Sequence, residues 1–198
     1  MIKNIIFDVG DVLLEYRWKD MLRDYGLEDS EAEKVGNLMF NDELWHELDL
    51  GIKTDEEVIK EYMKKYPKYA NVMEWFITHG EYMHVQRPDV WYRVHLLKEK
   101  GYKIYLLSNY SKNLFDKHTR GATFLDEIDG KVVSYEINVA KPNKEIYKYL
   151  LEKYNLKPEE CIFFDDRIEN VNAAQQLGIK SIHVVSKEKL LEDINKLL

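Results

Sequence analysis

Five short apolar runs punctuate the chain, and each is bounded by polar or glycine residues. They are "NIIFD", "KIYLLS", "KVVSY", "CIFFDD" and "SIHVV". The first, second and fourth are almost continuously apolar, which is typical of parallel strands covered on both faces. The pattern therefore predicts five buried strands.

Helical periodicity fills most of the intervals between these runs. Apolar residues recur every three or four positions in residues 87–101, 143–154 and 166–178, and Asn143 is a suitable N-cap for the second of these stretches. Alternation of strands and helices predicts an α/β fold: a Rossmann-like, three-layer core with a parallel sheet between helices.

One interval is far longer than a single crossover helix requires, since residues 9–102 separate the first strand from the second. Residues 15–87 have helical periodicity and little strand character. Helix-start signals occur at Ser30, at Asn41 and at Thr54, where Glu57 completes a capping-box pattern. We expect a small helical cap domain at residues 15–87, inserted into a discontinuous core of residues 1–14 and 88–198.

Charge and composition disfavour a nucleic-acid-binding protein and a membrane protein. The net charge is −7 and the pI is about 5.5, which disfavours binding to nucleic acid or to an anionic membrane. There is no long apolar run and no signal-peptide pattern at the N-terminus, so we expect a cytoplasmic protein without a membrane span. The single cysteine, Cys161, lies in an apolar run and is interpreted as a core residue. Nothing in the sequence implies a protein partner.

Polar residues follow four of the predicted strands. These residues are Asp8, Ser108 with Asn109, Lys141, and Asp165 with Asp166. Each one alone is explained equally well as a turn former, a helix cap or a solvated side chain. Together they are hard to explain as turns, because ligands of open α/β sheets bind where the carboxyl ends of the strands meet.

This combination suits phosphoryl transfer. Asp8 is a candidate nucleophile that would attack phosphorus, and a divalent cation held by Asp8 and Asp166 would reduce the repulsion between the carboxylate and the phosphate. The backbone carbonyl of Gly10 is a further candidate ligand, because glycine lets the chain turn this group inward. Oxygen ligands of this kind favour Mg²⁺.

The remaining strand-end residues would bind the phosphate. Ser108 and the backbone of Asn109 are candidates for hydrogen bonds to its oxygens. Lys141 would neutralise the charge that develops in the transition state.

The order and spacing of four motifs resemble the haloacid dehalogenase (HAD) superfamily, whose members mostly hydrolyse phosphate esters. The motifs are "FDVGDVLL", "LLSNYS", "KPNKEIY" and "FFDDRIENVNAAQQLG". The motif variants "FDVG" and "FFDD" resemble those of bacterial sugar-phosphate phosphatases, notably those acting on glucose 1-phosphate, and of the amino-terminal phosphatase domain of epoxide hydrolases. The resemblance covers essentially the whole chain and places residues 15–87 where the family has its helical cap.

The resemblance implies roles residue by residue. The family nucleophile falls on Asp8, its phosphate-binding serine on Ser108, its lysine on Lys141 and its metal-binding aspartate on Asp166. Two supporting positions depart mildly from the family pattern: Asp165 replaces a common glycine, and Asn170 replaces a second acid but can still orient a metal-bound water.

Gly10 is the larger departure, because most phosphatases of the family carry an acid two residues after the nucleophile. That acid protonates the leaving oxygen and later activates water. Asp11, one residue further on, is a possible substitute, although a turn residue at this position is the simpler interpretation.

These observations lead to one main hypothesis and two alternatives. We expect a Mg²⁺-dependent phosphatase acting on a small phosphorylated metabolite, with a sugar phosphate as the expected substrate. A metal-independent 2-haloacid dehalogenase is the first alternative, and the pair Asp165 and Asp166 disfavours it. A non-catalytic protein that binds a phosphometabolite is the second, and Gly10 keeps it open.

Overall fold

The computed structural model describes residues 1–198. It contains seven strands: β1 (Asn4–Phe7), β2 (Leu14–Tyr16), β3 (His84–Gln86), β4 (Lys103–Ser108), β5 (Gly130–Val133), β6 (Cys161–Asp165) and β7 (Lys180–His183). Five of them form one sheet in the order β5-β4-β1-β6-β7, and every neighbouring pair is parallel. The five predicted strands are all present, although β5 stops at Val133 and the following "SY" begins a short helix.

Eleven α-helices accompany the strands: α1 (Trp18–Asp24), α2 (Asp29–Phe40), α3 (Glu43–Asp49), α4 (Asp55–Lys65), α5 (Ala70–Thr78), α6 (Pro88–Glu99), α7 (Lys112–His118), α8 (Ser134–Ile137), α9 (Lys144–Lys153), α10 (Ile168–Gln175) and α11 (Lys187–Asn195). Helices α6 and α11 contribute buried residues to the hydrophobic cluster on one face of the sheet, and α9 and α10 to the cluster on the other. No helix combines the length and the apolar character needed to cross a membrane.

Strand β1 lies at the centre of the sheet and determines the geometry of its carboxyl edge. Its four residues are fully buried or nearly so, with Ile5 and Phe7 facing one hydrophobic cluster and Ile6 the other. Phe7 is aligned with Leu106 of β4 and with Phe164 of β6. The residues that follow these three strands therefore emerge side by side.

Some predicted helix caps are confirmed and others are wrong. Thr54 and Glu57 form the predicted capping box, and the Asn143 side chain accepts a hydrogen bond from the Glu145 N–H at 3.0 Å. Ser30 is not a cap, because α2 already begins at Asp29.

The cap of α3 is also displaced by one residue from the predicted Asn41. The Asp42 carboxylate accepts the Leu44 N–H instead, at 3.1 Å. Asp42 combines this role with contacts to Tyr66 and Lys65, which tie α3 to α4.

Helices α1–α5 lie between β2 and β3 and have a hydrophobic core of their own, which includes Met21, Val35, Tyr62 and Phe76. Two strands were missed in this region: β2 and β3 pair antiparallel at its two ends, so the chain enters and leaves it along one ribbon. We propose that residues 15–87 are the helical cap and that residues 1–14 and 88–198 are the core.

Candidate active site

A cavity of about 410 Å³ lies between the carboxyl edge of the sheet and the helices of the insertion. Its core side is lined by Asp8, Gly10, Ser108, Asn109, Tyr110, Leu114, Lys141, Pro142, Asp166, Arg167 and Asn170. Its other side is lined by Tyr16, Trp18, Phe40, Trp45, His46, Asp49 and Met83. The strand-end residues singled out from the sequence therefore converge on one cavity, apart from Asp11 and Asp165, which do not line it.

Asp8 follows β1, and both of its carboxylate oxygens have partners. Its Oδ1 accepts hydrogen bonds from the Ser108 hydroxyl at 2.5 Å and from the Val9 N–H at 2.7 Å. Its Oδ2 lies 3.0 Å from the Lys141 Nζ. Burial raises the pKa of Asp8 to about 6 despite the opposing charge of Lys141, and the Asp165 carboxylate contributes to the rise. The group is therefore mainly ionised at neutral pH.

Lys141 is almost completely buried between two carboxylates. Its Nζ lies 2.6 Å from Asp165 Oδ2 and 3.0 Å from Asp8 Oδ2. Burial alone would lower the pKa of this ammonium, but the charges of Asp165 and Asp8 outweigh burial and raise it. Lys141 is therefore a permanent positive charge beside the candidate nucleophile.

Asn109 positions the Lys141 segment through its side chain. Its Oδ1 accepts the Lys141 N–H at 2.8 Å, and its Nδ2 donates to the Lys141 carbonyl at 2.9 Å. This reciprocal pair leaves the backbone N–H of Asn109 as the group that could contact a phosphate.

A divalent cation fits the carboxylates at this edge. One oxygen from each of Asp8, Asp165 and Asp166 can be chosen so that all three lie within 4.8 Å of one another. Burial and the neighbouring carboxylates, Asp8 first, raise the pKa of Asp166 to about 7, and a bound cation would lower it again. Asp8 and Asp166 line the cavity and Asp165 does not, so Asp8 and Asp166 are the better candidate ligands.

The side-chain amide of Asn170 has hydrogen-bond partners for its nitrogen but none for its oxygen. Its Nδ2 donates to both oxygens of Asp165, at 2.9 and 3.2 Å, whereas its buried Oδ1 has no hydrogen-bond partner. A buried acceptor normally has a partner. Since Asn170 lines the cavity, its Oδ1 is available to a water bound to a cation.

Gly10 lines the cavity, but the physical reason for glycine differs from the expectation. Its φ angle lies outside the left-handed region, so no special backbone conformation requires glycine here. A Cβ at this position would instead collide with the ring and hydroxyl of Tyr16. The place of the usual acid is thus filled by a phenol from β2.

Asp11 has a structural role in this turn. Its φ is +51°, and its Oδ1 accepts the Tyr16 N–H at 2.9 Å. This arrangement favours the turn interpretation over the hypothesis that Asp11 replaces the missing acid.

The contact between Gly10 and Tyr16 leads to a first prediction. We expect Gly10→Ala to lower the free energy of unfolding by about 1–3 kcal/mol, because overpacking strains a buried contact. Urea unfolding measures the change. When Tyr16 is already replaced by alanine, adding Gly10→Ala should lower the free energy of unfolding much less. A Gly10→Ala protein as stable as the wild type would contradict the steric explanation.

Sequence reasoning missed the cavity residues supplied by the insertion. Tyr16, Trp18, Phe40 and Trp45 form an aromatic wall, with Phe40 and Trp45 in an edge-to-face contact at 4.8 Å between ring centroids. The periodicity of the helices could not tell which aromatic residues face the cavity.

Comparison with known proteins places the chain in a large family. A family model described as haloacid dehalogenase-like hydrolase matches residues 2–178. A sesquiterpene phosphatase of Aspergillus oryzae is 25% identical over 199 residues, covering 99% of this chain and 96% of that protein. A drimenol cyclase of Aspergillus calidoustus is 26% identical over 203 residues, and the chain spans only 37% of its length.

A solved structure extends the comparison to three dimensions. A HAD family enzyme of Bacteroides thetaiotaomicron, crystallised as a magnesium complex, is 25% identical and superposes with a TM-score of 0.71. The match covers 92% of this chain and 93% of that one. The chain therefore has the same fold as that HAD family enzyme.

Proposed function

Because the chain belongs to the haloacid dehalogenase-like hydrolase family, we propose that it is a Mg²⁺-dependent phosphatase acting on a small phosphorylated metabolite. The observation that carries the proposal is the convergence of Asp8, Ser108, Lys141 and Asp166 on one cavity. Similarity to a sesquiterpene phosphatase and to a magnesium-bound HAD enzyme supports the same reaction class.

Different core residues have different roles in phosphoryl transfer. Asp8 attacks phosphorus and forms an aspartyl-phosphate, after which water releases the phosphate. The Ser108 hydroxyl and the Asn109 N–H bind phosphate oxygens, and Lys141 stabilises the charge that develops on them. Asn109 and Asp165 hold Lys141 in place for this task.

A cation would be held by Asp8 and Asp166, with the Gly10 carbonyl as a further ligand. When bound, Mg²⁺ would supply positive charge that reduces the repulsion between the Asp8 carboxylate and the phosphate. Two observations support such a site: the buried Asn170 Oδ1 has no hydrogen-bond partner, and burial with neighbouring carboxylates raises the pKa of Asp166.

The cavity favours a substrate of modest size. A volume of about 410 Å³ suits a metabolite rather than a polymer. The wall from the insertion combines aromatic rings with polar groups, His46 and Asp49. Rings pack against the apolar faces of a sugar while carboxylate and imidazole bind its hydroxyls, so we propose a sugar phosphate as the substrate.

Metal dependence provides the second prediction. We expect chelation with EDTA to silence hydrolysis of p-nitrophenyl phosphate and of sugar phosphates, and added Mg²⁺ to restore it. Asp166→Ala should raise the Mg²⁺ concentration required for half-maximal activity by at least about tenfold, the scale expected for disturbing a metal site. Exposed Asp126 offers a matched control, since Asp126→Ala should leave that concentration unchanged.

Two outcomes would redirect the assignment. Activity that survives exhaustive chelation would favour the metal-independent dehalogenase, and chloride release from 2-chloropropionate would then test it. Tight phosphate binding without any turnover, with or without Mg²⁺, would favour a phosphometabolite-binding protein.

A further inference from the structure

The core residues leave proton transfer unassigned. Departure of an alcohol from phosphorus requires a proton, and attack of water on the aspartyl-phosphate releases one. Asp8 is the nucleophile, Ser108 already donates to it, and Lys141 stays charged between two carboxylates. Gly10 has no side chain to offer.

Tyr16 is the group nearest to the missing side chain, because its hydroxyl fills the space beside Gly10. Burial foremost, together with neighbouring Tyr110 and Asp8, raises the pKa of Tyr16 well above its usual value. A phenol that stays protonated cannot take a proton from water near neutral pH. Tyr16 is therefore unsuited to the second half of the reaction.

Asp49 is the cavity-lining carboxylate that the insertion supplies. It is the last residue of α3, where a negative charge is unfavourable because the helix dipole is negative at that end. Nearby Arg167 is paired with Glu169 rather than with Asp49. Asp49 therefore destabilises the end of α3 and has no ion-pair partner, so helix stability does not explain an acid at this position.

The backbone around Asp49 is fixed to the core. The Ser134 hydroxyl, which is fully buried, donates to the Asp49 carbonyl at 2.5 Å, and the Asn138 Nδ2 donates to the Leu50 carbonyl at 2.7 Å. Gly51 follows with a φ of +66° and packs closely on Tyr135. These contacts hold the end of α3 against the same core that carries the nucleophile.

We propose that Asp49 is the general acid and general base of this site, which deepens the proposed phosphatase function and rests on it. In the first step Asp8 bonds to phosphorus, the bond to the leaving oxygen breaks, and the Asp49 carboxyl gives that oxygen its proton. In the second step water bonds to phosphorus and gives a proton to the Asp49 carboxylate. The bond from phosphorus to Asp8 then breaks, and phosphate leaves.

The electrostatic surroundings of Asp49 agree with this role. Burial raises the pKa of Asp49 to about 7, the Ser111 N–H and the Arg167 guanidinium limit the rise, and the Asp8 carboxylate adds to it. A group that titrates near neutral pH can both give and take a proton in one catalytic cycle.

The test compares leaving groups in wild type, Asp49→Asn, Asp49→Glu and Tyr16→Phe, with saturating Mg²⁺. We expect Asp49→Asn to lower kcat/KM for alkyl phosphates by roughly 10²–10⁴-fold, the usual contribution of a general acid. Its effect on p-nitrophenyl phosphate should be much smaller in the first step, because that leaving group departs without a proton. A plot of log kcat/KM against leaving-group pKa should steepen in Asp49→Asn, recover partly in Asp49→Glu, and keep its slope in Tyr16→Phe.

The pH dependence provides a second readout. The charged and titratable groups around Asp49 are His46 on its own helix, Tyr16 and Tyr62 from the insertion, and Asp8, Tyr110, Lys141, Asp166 and Arg167 from the core. Since both proteins retain them, the ratio of wild-type to Asp49→Asn kcat/KM for an alkyl phosphate isolates Asp49. We expect this ratio to shrink as pH rises through about 7, because the acid form required in the first step is lost.

The outcomes separate this inference from the proposed function. If the slope of log kcat/KM against leaving-group pKa is the same in wild type and Asp49→Asn, and only KM has changed, Asp49 binds substrate. That result would overturn this inference and leave the proposed function intact. Steepening in Tyr16→Phe instead would assign the proton to Tyr16 and also overturn it. Absence of phosphate release by the wild type would overturn the proposed function and this inference together. Thermal unfolding of each variant ensures that a folded protein is compared.

Discussion

Asp8→Asn is expected to lower kcat by a factor on the order of 10⁴ or more, the scale expected when a covalent nucleophile is removed. Asparagine keeps the size of the side chain and can still accept the Ser108 hydrogen bond, but it cannot attack phosphorus. Burial and the neighbouring Asp165 carboxylate raise the pKa of Asp8, so removing this charge relieves repulsion. We therefore expect the variant to unfold at no lower temperature than the wild type.

Asp11→Asn is the matched control for this prediction, because Asp11 lies in the same turn and its Oδ1 accepts the Tyr16 N–H. Asparagine can still accept that bond, so the change in kcat should be no more than a few-fold. Phosphate release under single-turnover conditions measures both variants. More than a few per cent of wild-type activity in purified Asp8→Asn would show that another group attacks phosphorus.

Lys141→Ala is expected to reduce both activity and stability. Loss of the ammonium should lower kcat by roughly 10²–10³-fold, as observed when one transition-state donor is removed from an enzyme. It also leaves Asp8 and Asp165 buried without their partner, at a cost of about 3–5 kcal/mol in the free energy of unfolding. Lys141→Arg should rescue poorly, because a planar guanidinium does not fit the space of a compact ammonium.

Lys141→Ala should not weaken metal binding, although it lowers activity and stability. Lys141 repels a cation at Asp8, so Mg²⁺ should bind Lys141→Ala at least as tightly as the wild type, which isothermal calorimetry can measure. Lys148→Ala is the control: Lys148 is exposed and pairs only with Glu145, so activity, stability and Mg²⁺ affinity should be unchanged. Wild-type kcat/KM in Lys141→Ala would mean that this lysine is merely structural.

The sequence predicted the core of the molecule well because its signals are local. Continuous apolar runs identified β1, β4 and β6, and polar residues directly after them identified Asp8, Ser108 and Asp166. Parallel strands bring their carboxyl ends together whatever the details of packing, so convergence of these residues followed from topology alone.

The rest of the site depends on how the insertion packs, and no local pattern encodes that. Asp49 carried one usable signal, an acid two residues before Gly51, but nothing in the sequence placed it beside Asp8. The effect of Tyr16 on Gly10 was equally hidden, because it depends on a turn and a strand meeting in space.

The strand pairing of β2 with β3 has a consequence for how this protein can change over evolution. Both crossings between core and insertion lie side by side, and Arg87 ties the base of the ribbon to the carbonyls of Asp11 and Val12. A module joined at such adjacent points can be exchanged for another without disturbing the sheet. In this chain, however, Tyr16 and Asp49 would leave with the module. A descendant that acquired a different cap would therefore need a new proton carrier, for example an acid at position 10 once Tyr16 no longer fills that space.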